Sequence, residues 1–378
     1  MIFKSLLSLF AVCAVGAIQA QTTVTGSFVH GGITRDYSFY VPASYQPGEA
    51  VPLVFNLHGL GTDGAYQAQN RDFRPIADTA NFIVVHPDGS MMFGMHFWNY
   101  GNVLGSTVDD VGFLEALTDT IAAHYTIDPA RIYAAGMSNG SFLCYYLACQ
   151  SNRFAAIGAV TGSMSVDMYN ECVPEHPIPV MHIHGTDDST NPYGGTSTMA
   201  GIEEVNQFWV NQNNCNTVPV ITPFPDVNTT DNATATDYLY TGGINGHTVE
   251  LIKVTGGGHT WPGAPVSASG GNTCMDFNAT LELWRFFSQH ENATVSVKTQ
   301  TPIELSIWPN PGAGCVHIET AADHPVTEII IQDLQGRLVD KKAAKLIQSM
   351  DTDHLRAGNY MLQLSGDGFS VSKKLVVL

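Results

Sequence analysis

Ser138 lies between Gly136 and Gly140 in the stretch RIYAAGMSNGSFLCYYLAC. A serine hydroxyl is a weak nucleophile unless a base stands beside it and its oxygen is held clear of the backbone. A sharp turn from strand to helix meets both needs, and it requires small neighbours because the chain is crowded there. Gly136 and Gly140 supply that room, and the helix that follows points its first amides at the place where an oxyanion would form. Such a serine calls for an acid and then a histidine further along the chain, each just past a strand. PVMHIHGTDD ends in Asp187 and Asp188, and ELIKV leads into TGGGHTWPG with His259. Either aspartate is a candidate to orient the imidazole. A second oxyanion amide is expected from the loop after an earlier strand, and in NLHGLGTDG it is that of Leu60, set to face the amide of Asn139. His182 and His184 read as strand residues beside this site, because a zinc site would need a third ligand that the sequence does not place.

The elements able to position these groups are legible as alternating short apolar runs and amphipathic stretches. PLVFNLHG (52–59), FIVVHPDG (82–89), RIYAAGMS (131–138), FAAIGAVTG (154–162) and PVMHIHGTDD (179–188) are rich in β-formers, and most end in Gly, Asp or His. DVGFLEALTDTIAAHY (110–125) puts Val111, Leu114, Leu117 and Ile121 on one helical face, with Asp109 or Asp110 available as its cap. Near-continuous apolar strands separated by helices predict an α/β domain with a mostly parallel sheet covered on both faces. It is expected over residues 21–292. Residues 1–20, with Lys4, an apolar run and Ala20, have the pattern of a cleavable secretory signal. Residues 293–302 read as a linker, and the short alternating strands of 303–378 as a small all-β sandwich.

Charge and cysteine usage exclude several functions. The chain of 378 residues carries a net charge of −18 at pH 7, and the excess acid lies almost wholly before residue 303. That leaves no basic patch for phosphates, so nucleic acid is excluded as a partner, and polyanionic substrates are disfavoured. No segment after the signal reads as a membrane span. The six cysteines beyond residue 20 show no metal-ligand spacing, so in an exported protein they read as structural, with disulfides among them. No cofactor or metal is implied.

Taken in order, HGLG, PDG followed by Trp98 and Asn99, DDVGFL, IDPARIYAAGMSNG, HIHGTDD and GGGHTWPG resemble the secreted esterases grouped with polyhydroxybutyrate depolymerases and feruloyl or acetylxylan esterases. The resemblance covers about residues 24–290. It implies an α/β-hydrolase fold with Ser138 as nucleophile and His259 as base. It also implies Asp188 as the orienting acid, the fifth residue of the HGTxD pattern, with Asp187 as its rival. The same resemblance implies a Cys149–Cys172 disulfide, with Cys215–Cys274 as the next pair, Cys144 as a buried thiol and Cys315 in the tail. Ser141, where many relatives repeat glycine, and the few glycines of HGLG depart from the family pattern. The tail, from SIWPNPGAG to KKLVVL, resembles the C-terminal sorting domain of the type IX secretion system, with Trp308 where members usually have tyrosine. A polymer-binding module with Trp308 as its platform is the rival reading.

These features together predict an exported serine carboxylic-ester hydrolase, found outside the cell or on its surface. Its expected partners are the type IX secretion machinery and a neutral, polymeric ester. Feruloyl or acetyl esters of plant polysaccharide are the expected substrates, with Trp98 and Trp261 bordering the site and stacking on an aromatic acid or a sugar ring. A polyhydroxybutyrate depolymerase is the alternative, and a catalytically silent hydrolase fold used for surface binding is a second one.

Overall fold

The computed structural model describes residues 21–264, 270–292, 305–320, 326–332, 338–343, 348–366 and 369–377. The expected signal sequence at 1–20 and the expected linker at 293–302 lie outside the described residues. The chain divides into two compact units, Met1–Ser296 and Val297–Leu378.

Among the described residues the first unit is built on twelve strands, ten of them in one sheet, and seven α-helices. Up to the nucleophile turn these are β1 (Thr22–His30), β2 (Ile33–Val41), β3 (Val51–Leu57), α1 (Gly64–Asn70), α2 (Arg74–Ala80), β4 (Ile83–Pro87), a small separate hairpin of β5 (Ser90–Met92) and β6 (Met95–Phe97), α3 (Asp110–Ala122) and β7 (Ile127–Met137). Beyond it come α4 (Asn139–Gln150), β8 (Ala156–Val160), α5 (Val166–Glu171), β9 (Val180–Gly185), α6 (Ile202–Gln212), β10 (Val220–Pro223), β11 (Thr234–Tyr240), β12 (Val249–Thr255) and α7 (Ala279–Phe287). The main sheet runs β1-β2-β4-β3-β7-β8-β9-β12-β11-β10. Its six central strands, β4 to β12 in that order, are parallel, and the two strands at each edge are antiparallel.

Every residue of β3, β4, β8 and β9 is buried, as expected of strands covered on both faces. The two-residue period then sorts side chains between two cores. Leu53, Phe55 and Leu57 join Phe113, Leu117, Leu143 and Trp209 from α3, α4 and α6. Val54 joins Leu283, Phe286 and Phe287 from α7 on the other face. Of the two aspartates that could cap α3, Asp109 does so, accepting from the Gly112 amide at 2.8 Å. Asp110 is instead buried against the Arg35 guanidinium at 2.6 Å.

Cys149 and Cys172 form a disulfide with Cα atoms 5.4 Å apart, joining the last turn of α4 to the residue after α5. The Cys215–Cys274 pairing does not occur, and both thiols are free and buried. Cys215 sits before the amino end of β12, its thiol 3.6 Å from the His247 carbonyl. Cys274 sits beyond the carboxyl end of the same strand, where its carbonyl accepts from Gly263. Seven strand residues separate the two ends, roughly 20 Å at about 3.3 Å per residue, whereas a disulfide needs Cα atoms within about 7 Å. Cys144 is a buried free thiol and Cys315 an exposed one.

The second unit comprises β13 (Leu305–Trp308), β14 (Cys315–Thr320), β15 (Glu328–Gln332), β16 (Leu338–Ala343), β17 (Ser349–Asp351), β18 (Gly358–Gly366) and β19 (Phe369–Val377). They form two antiparallel sheets, β13-β14-β17 and β16-β15-β18-β19. Alternate residues Val316 and Ile318, Ile329 and Ile331, and Leu362 and Leu364 meet in one aliphatic core. Trp308 is half exposed, its ring 4.5 Å from that of His317. Among the described residues no helix is long and apolar enough to cross a membrane.

Candidate active site

β7 stops at Met137 and α4 starts at Asn139, so Ser138 makes the whole turn alone, at φ 55° and ψ −118°. That is a costly backbone for a residue with a side chain, of order 1–3 kcal/mol, and only the surrounding structure can hold it. The holding contacts are specific. The Ser138 amide donates to the Val160 carbonyl of neighbouring β8 at 2.9 Å, keeping the residue in the parallel ladder. A Cβ on Gly136 would fall 2.3 Å from the Gly140 carbonyl oxygen, and one on Gly140 2.6 Å from that of Leu57. Both glycines are therefore required by close backbone approach. Ser138 occupies the N-cap position of α4 but its side chain makes no capping bond, so Oγ stays available.

The loop after β3 lies against this turn, since a Cβ on Gly59 would come 3.5 Å from Cβ of Ser138. His58 orients that loop. Its Nε2 accepts from the Gly89 amide at 2.9 Å, which fixes the proton on Nδ1, and Nδ1 then donates to the Gly59 carbonyl at 2.8 Å. Thr62 Oγ1 donates to the same carbonyl at 2.9 Å. Burial holds the His58 imidazole down at about 4, so it is neutral at ordinary pH. In a trans peptide the N–H points opposite to the C=O, so with the Gly59 carbonyl turned in to His58 the Leu60 amide is turned away from it. Asn139 is the first residue of α4, where a backbone amide has no acceptor within the helix. Its side chain pairs with the Trp98 backbone in both directions, accepting from the amide at 2.6 Å and donating to the carbonyl at 3.0 Å.

At the carboxyl ends of β9 and β12, His259 Nδ1 donates to Asp188 Oδ2 at 2.8 Å. Asp188 Oδ1 accepts from the Thr190 and Asn191 amides, both at 2.8 Å. Burial alone would raise the Asp188 carboxyl, but the His259 hydrogen bond, the charge of that ring and the Asn191 amide hold it below the usual carboxylate range. Asp187 points elsewhere, being exposed and accepting only from Thr186 Oγ1. With Nδ1 committed to Asp188, His259 keeps Nε2 for a second partner, and 14% of its side chain remains accessible. Two further hydrogen bonds carry this arrangement across toward the Ser138 turn. Asn191 Nδ2 donates to the Thr161 carbonyl at 2.7 Å, and the Thr161 amide donates to Ile183 at 3.0 Å.

Behind Asp188 runs a buried chain whose proton positions are all determined. His184 Nε2 donates to the Asn191 carbonyl at 2.8 Å and lies 3.4 Å from Asp188 Oδ2. Its Nδ1 must then accept, from His182 Nε2 at 3.2 Å, and His182 Nδ1 accepts from the Tyr145 hydroxyl at 2.9 Å. Burial drives both imidazoles below their ordinary range, so they stay neutral. Both histidines thus sit beside the site as strand residues, with every ring nitrogen engaged.

The expectation for the two tryptophans is corrected. Trp98 and Trp261 are 0% and 2% exposed, and neither presents a face to a ligand. Trp98 Nε1 donates to the His58 carbonyl at 3.0 Å, and Trp261 Nε1 to Thr280 Oγ1 at 3.0 Å. Each is packing under a loop, where an indole buries a large apolar area while its N–H finds a partner. The sequence reading also missed the roles of His58, Arg35, Asp110 and Tyr145. Asp110 accepts from the Asn99 amide at 2.7 Å and so fixes the loop whose Trp98 holds Asn139. The only signal for it was the doubled aspartate at a helix start, one more than a cap needs.

Residues 35–182 match the family model described as esterase PHB depolymerase, and residues 306–378 the one described as secretion system C-terminal sorting domain. A bifunctional acetylxylan esterase/xylanase of Neocallimastix patriciarum is 29% identical over 68% of this chain and 34% of its own length. Feruloyl esterase B of Piromyces equi is 28% identical over 58% of this chain and 41% of its own. The chain thus spans between a third and a half of the length of these relatives. Among solved structures, the acetyl xylan esterase from Aspergillus awamori superposes with a TM-score of 0.50 at 14% identity, covering 71% of this chain and 99% of that one, which speaks to the fold. A sorting domain assigns the protein to the outside of the cell, in the medium or on the surface. Residues 35–182 thus resemble the esterase PHB depolymerase family, the sheet that carries them has the α/β-hydrolase fold, and residues 306–378 match a secretion system C-terminal sorting domain.

Proposed function

We propose that the protein is a serine carboxylic-ester hydrolase. The observation that carries this reading is the 2.8 Å bond between His259 Nδ1 and buried Asp188, at the same sheet edge as the strained, uncapped Ser138. In this reading Ser138 Oγ attacks the ester carbonyl while His259 Nε2 takes its proton. Asp188 holds the imidazole in the tautomer with the proton on Nδ1 and stabilises the imidazolium that forms. The amides of Leu60 and Asn139 receive the tetrahedral oxyanion, and water admitted through His259 then resolves the acyl-enzyme. All of these groups belong to the chain itself.

The substrates we assign are feruloyl or acetyl esters of a neutral plant polysaccharide. The names of the two curated relatives support this, as does the net charge of −18, which disfavours a polyanion. The buried tryptophans contribute nothing to the choice. The family description keeps a polyester such as polyhydroxybutyrate as the second reading. The tail at 306–378 is assigned to the secretion machinery as its partner.

Two measurements test this. Hydrolysis of p-nitrophenyl acetate by the purified protein separates an esterase from a silent binding fold, and no turnover would reject the enzyme. In a side-by-side panel, methyl ferulate or acetylated xylan should be cleaved with kcat/KM at least about tenfold above soluble hydroxybutyrate oligomers, roughly 1.4 kcal/mol in transition-state binding. Preference for the oligomers would move the assignment to the polyester.

A further inference from the structure

A polar trough leads away from the nucleophile turn and is not used by the chemistry above. Two cavities of about 510 and 440 Å³ share Tyr100, Gly101, Asn102, Ser165 and Asp167, and so run together. The inner one reaches Phe142 and Asn191. The Phe142 amide bonds to the Ser138 carbonyl, and the Asn191 amide to Asp188, so this end adjoins the catalytic residues. The outer one continues past Tyr146 and Gln150 to the Cys149–Cys172 disulfide.

We propose that this trough binds the sugar chain that carries the ester, a neutral polysaccharide lying on the alcohol side of the scissile bond. The proposal rests on the esterase reading only for what the bound chain is used for. Its chemistry is that of a carbohydrate site. Tyr100 lies over Phe142, with ring centroids 4.8 Å apart, and Tyr146 lies against Gly101, so each ring is fixed by its own neighbour. Ring faces of this kind pack on the C–H faces of sugar rings. Exposed Asn102, Gln150 and Asp167 supply amide and carboxylate groups along the same walls.

The lining also discriminates between occupants. Among the lining residues of both cavities there is no Lys, Arg or His, which argues against a phosphate, sulfate or uronate chain. Asp167 and Glu171 are acceptors and require donors. A polysaccharide offers hydroxyl donors at every ring, whereas the repeating unit of a polyester offers carbonyls and none. The trough therefore also weighs against the polyester reading. The disulfide gives the site rigidity, because it ties the end of α4 to the end of α5 and so fixes two of its walls before a ligand arrives.

The test uses the full chain with Tyr146→Ala and Asp167→Asn, singly and together, each checked for an unchanged Tm. Neither residue belongs to the catalytic constellation. The double variant should lose at least about tenfold in kcat/KM on an acetylated or feruloylated xylo-oligosaccharide, mainly through KM, while turnover of p-nitrophenyl acetate and methyl ferulate stays within about twofold. Calorimetric titration with unesterified xylohexaose should show binding by the wild type that the double variant weakens by at least about fivefold. Xylohexaose binding that the variants leave unchanged, or no binding by the wild type, overturns the trough. So does an equal loss on small and oligosaccharide esters. Xylohexaose binding that depends on Tyr146 in a protein that cleaves no ester would sustain the trough and remove the esterase reading. Cleavage of p-nitrophenyl acetate without any such binding would do the reverse.

Discussion

At the carboxyl edge of the ten-stranded sheet, Ser138 is held at φ 55°, a hydrogen-bonded row runs from Tyr145 through His182 to His184, and His184 lies 3.4 Å from the Asp188 carboxylate that pairs with His259. In the second unit the core is aliphatic, made of residues such as Val316, Ile329, Leu362, Leu364 and Leu375 on simple antiparallel strands. Burying ionisable groups and straining a backbone both oppose folding, and they persist only where neighbouring structure over-determines them. The first unit accepts both costs together at that edge. The second unit shows nothing comparable among its described residues.

Four measurements break or sharpen this contrast, the largest effect first. Ser138→Ala and His259→Ala should each lower kcat by at least about 10³-fold on p-nitrophenyl acetate while the protein remains folded. A folded variant that keeps a tenth of wild-type activity would show that the strained edge is not where the reaction occurs. Next, Asp188→Asn should lower kcat by about 10²- to 10⁴-fold, because it removes the acceptor that fixes the His259 tautomer. Asp187→Asn should stay within about threefold, since that side chain is exposed and bonded only from Thr186. The reverse ranking would transfer the role to Asp187.

A third experiment asks whether all buried charge in the first unit serves the site. Glu250 on β12 is buried beside Asp237 on β11 and is bonded by Arg285 of α7. Burial and the Asp237 charge push the Glu250 carboxyl up to about 8, with Arg285 pulling the other way without prevailing, and burial lifts Asp237 to about 6. A carboxyl raised in the folded state keeps a proton that the unfolded chain releases. Its contribution is therefore complete below the ordinary glutamate range and is lost as pH climbs to about 8. Glu250→Gln should flatten the fall of Tm between pH 5 and pH 8 and leave kcat unchanged. An equally steep fall in the variant would count against the assignment.

The smallest effect on turnover is expected from removing residues 303–378. kcat/KM of the purified first unit should stay within about twofold, while export from the native host is blocked. Loss of binding to an insoluble polymer with export intact would instead make the second unit a binding module built on exposed Trp308.

Much of the candidate site was legible because its signals are local. The glycine–serine–glycine spacing reports a turn too tight for side chains, and the Cβ positions of Gly136 and Gly140 show why. Continuous apolar runs report strands covered on both faces, and β3, β4, β8 and β9 are such strands. The order of serine, acid and histidine follows from the order of those strands. Asp188 lies against His259, where the HGTxD pattern puts the acid, while Asp187 one residue earlier faces solvent.

What the sequence left open depends on partners distant in the chain. Trp98 and Trp261 stand in loop sequences, and only packing under those loops decided that their indoles are covered. Asp110 looked like a second cap until Arg35, 75 residues earlier, was brought against it. Cys215 and Cys274 were the next expected pair, but β12 runs between them and holds them at opposite ends. The trough likewise joins a turn at 100–103 to α4 and α5. Period and turn chemistry are set by neighbours a few residues away, so the sequence by itself determined the strands, the elbow and the order of Ser138, Asp188 and His259. Which face a side chain meets, and whether a polar group is buried with a partner, depends on elements that only folding brings together, so those matters were decided by the tertiary structure.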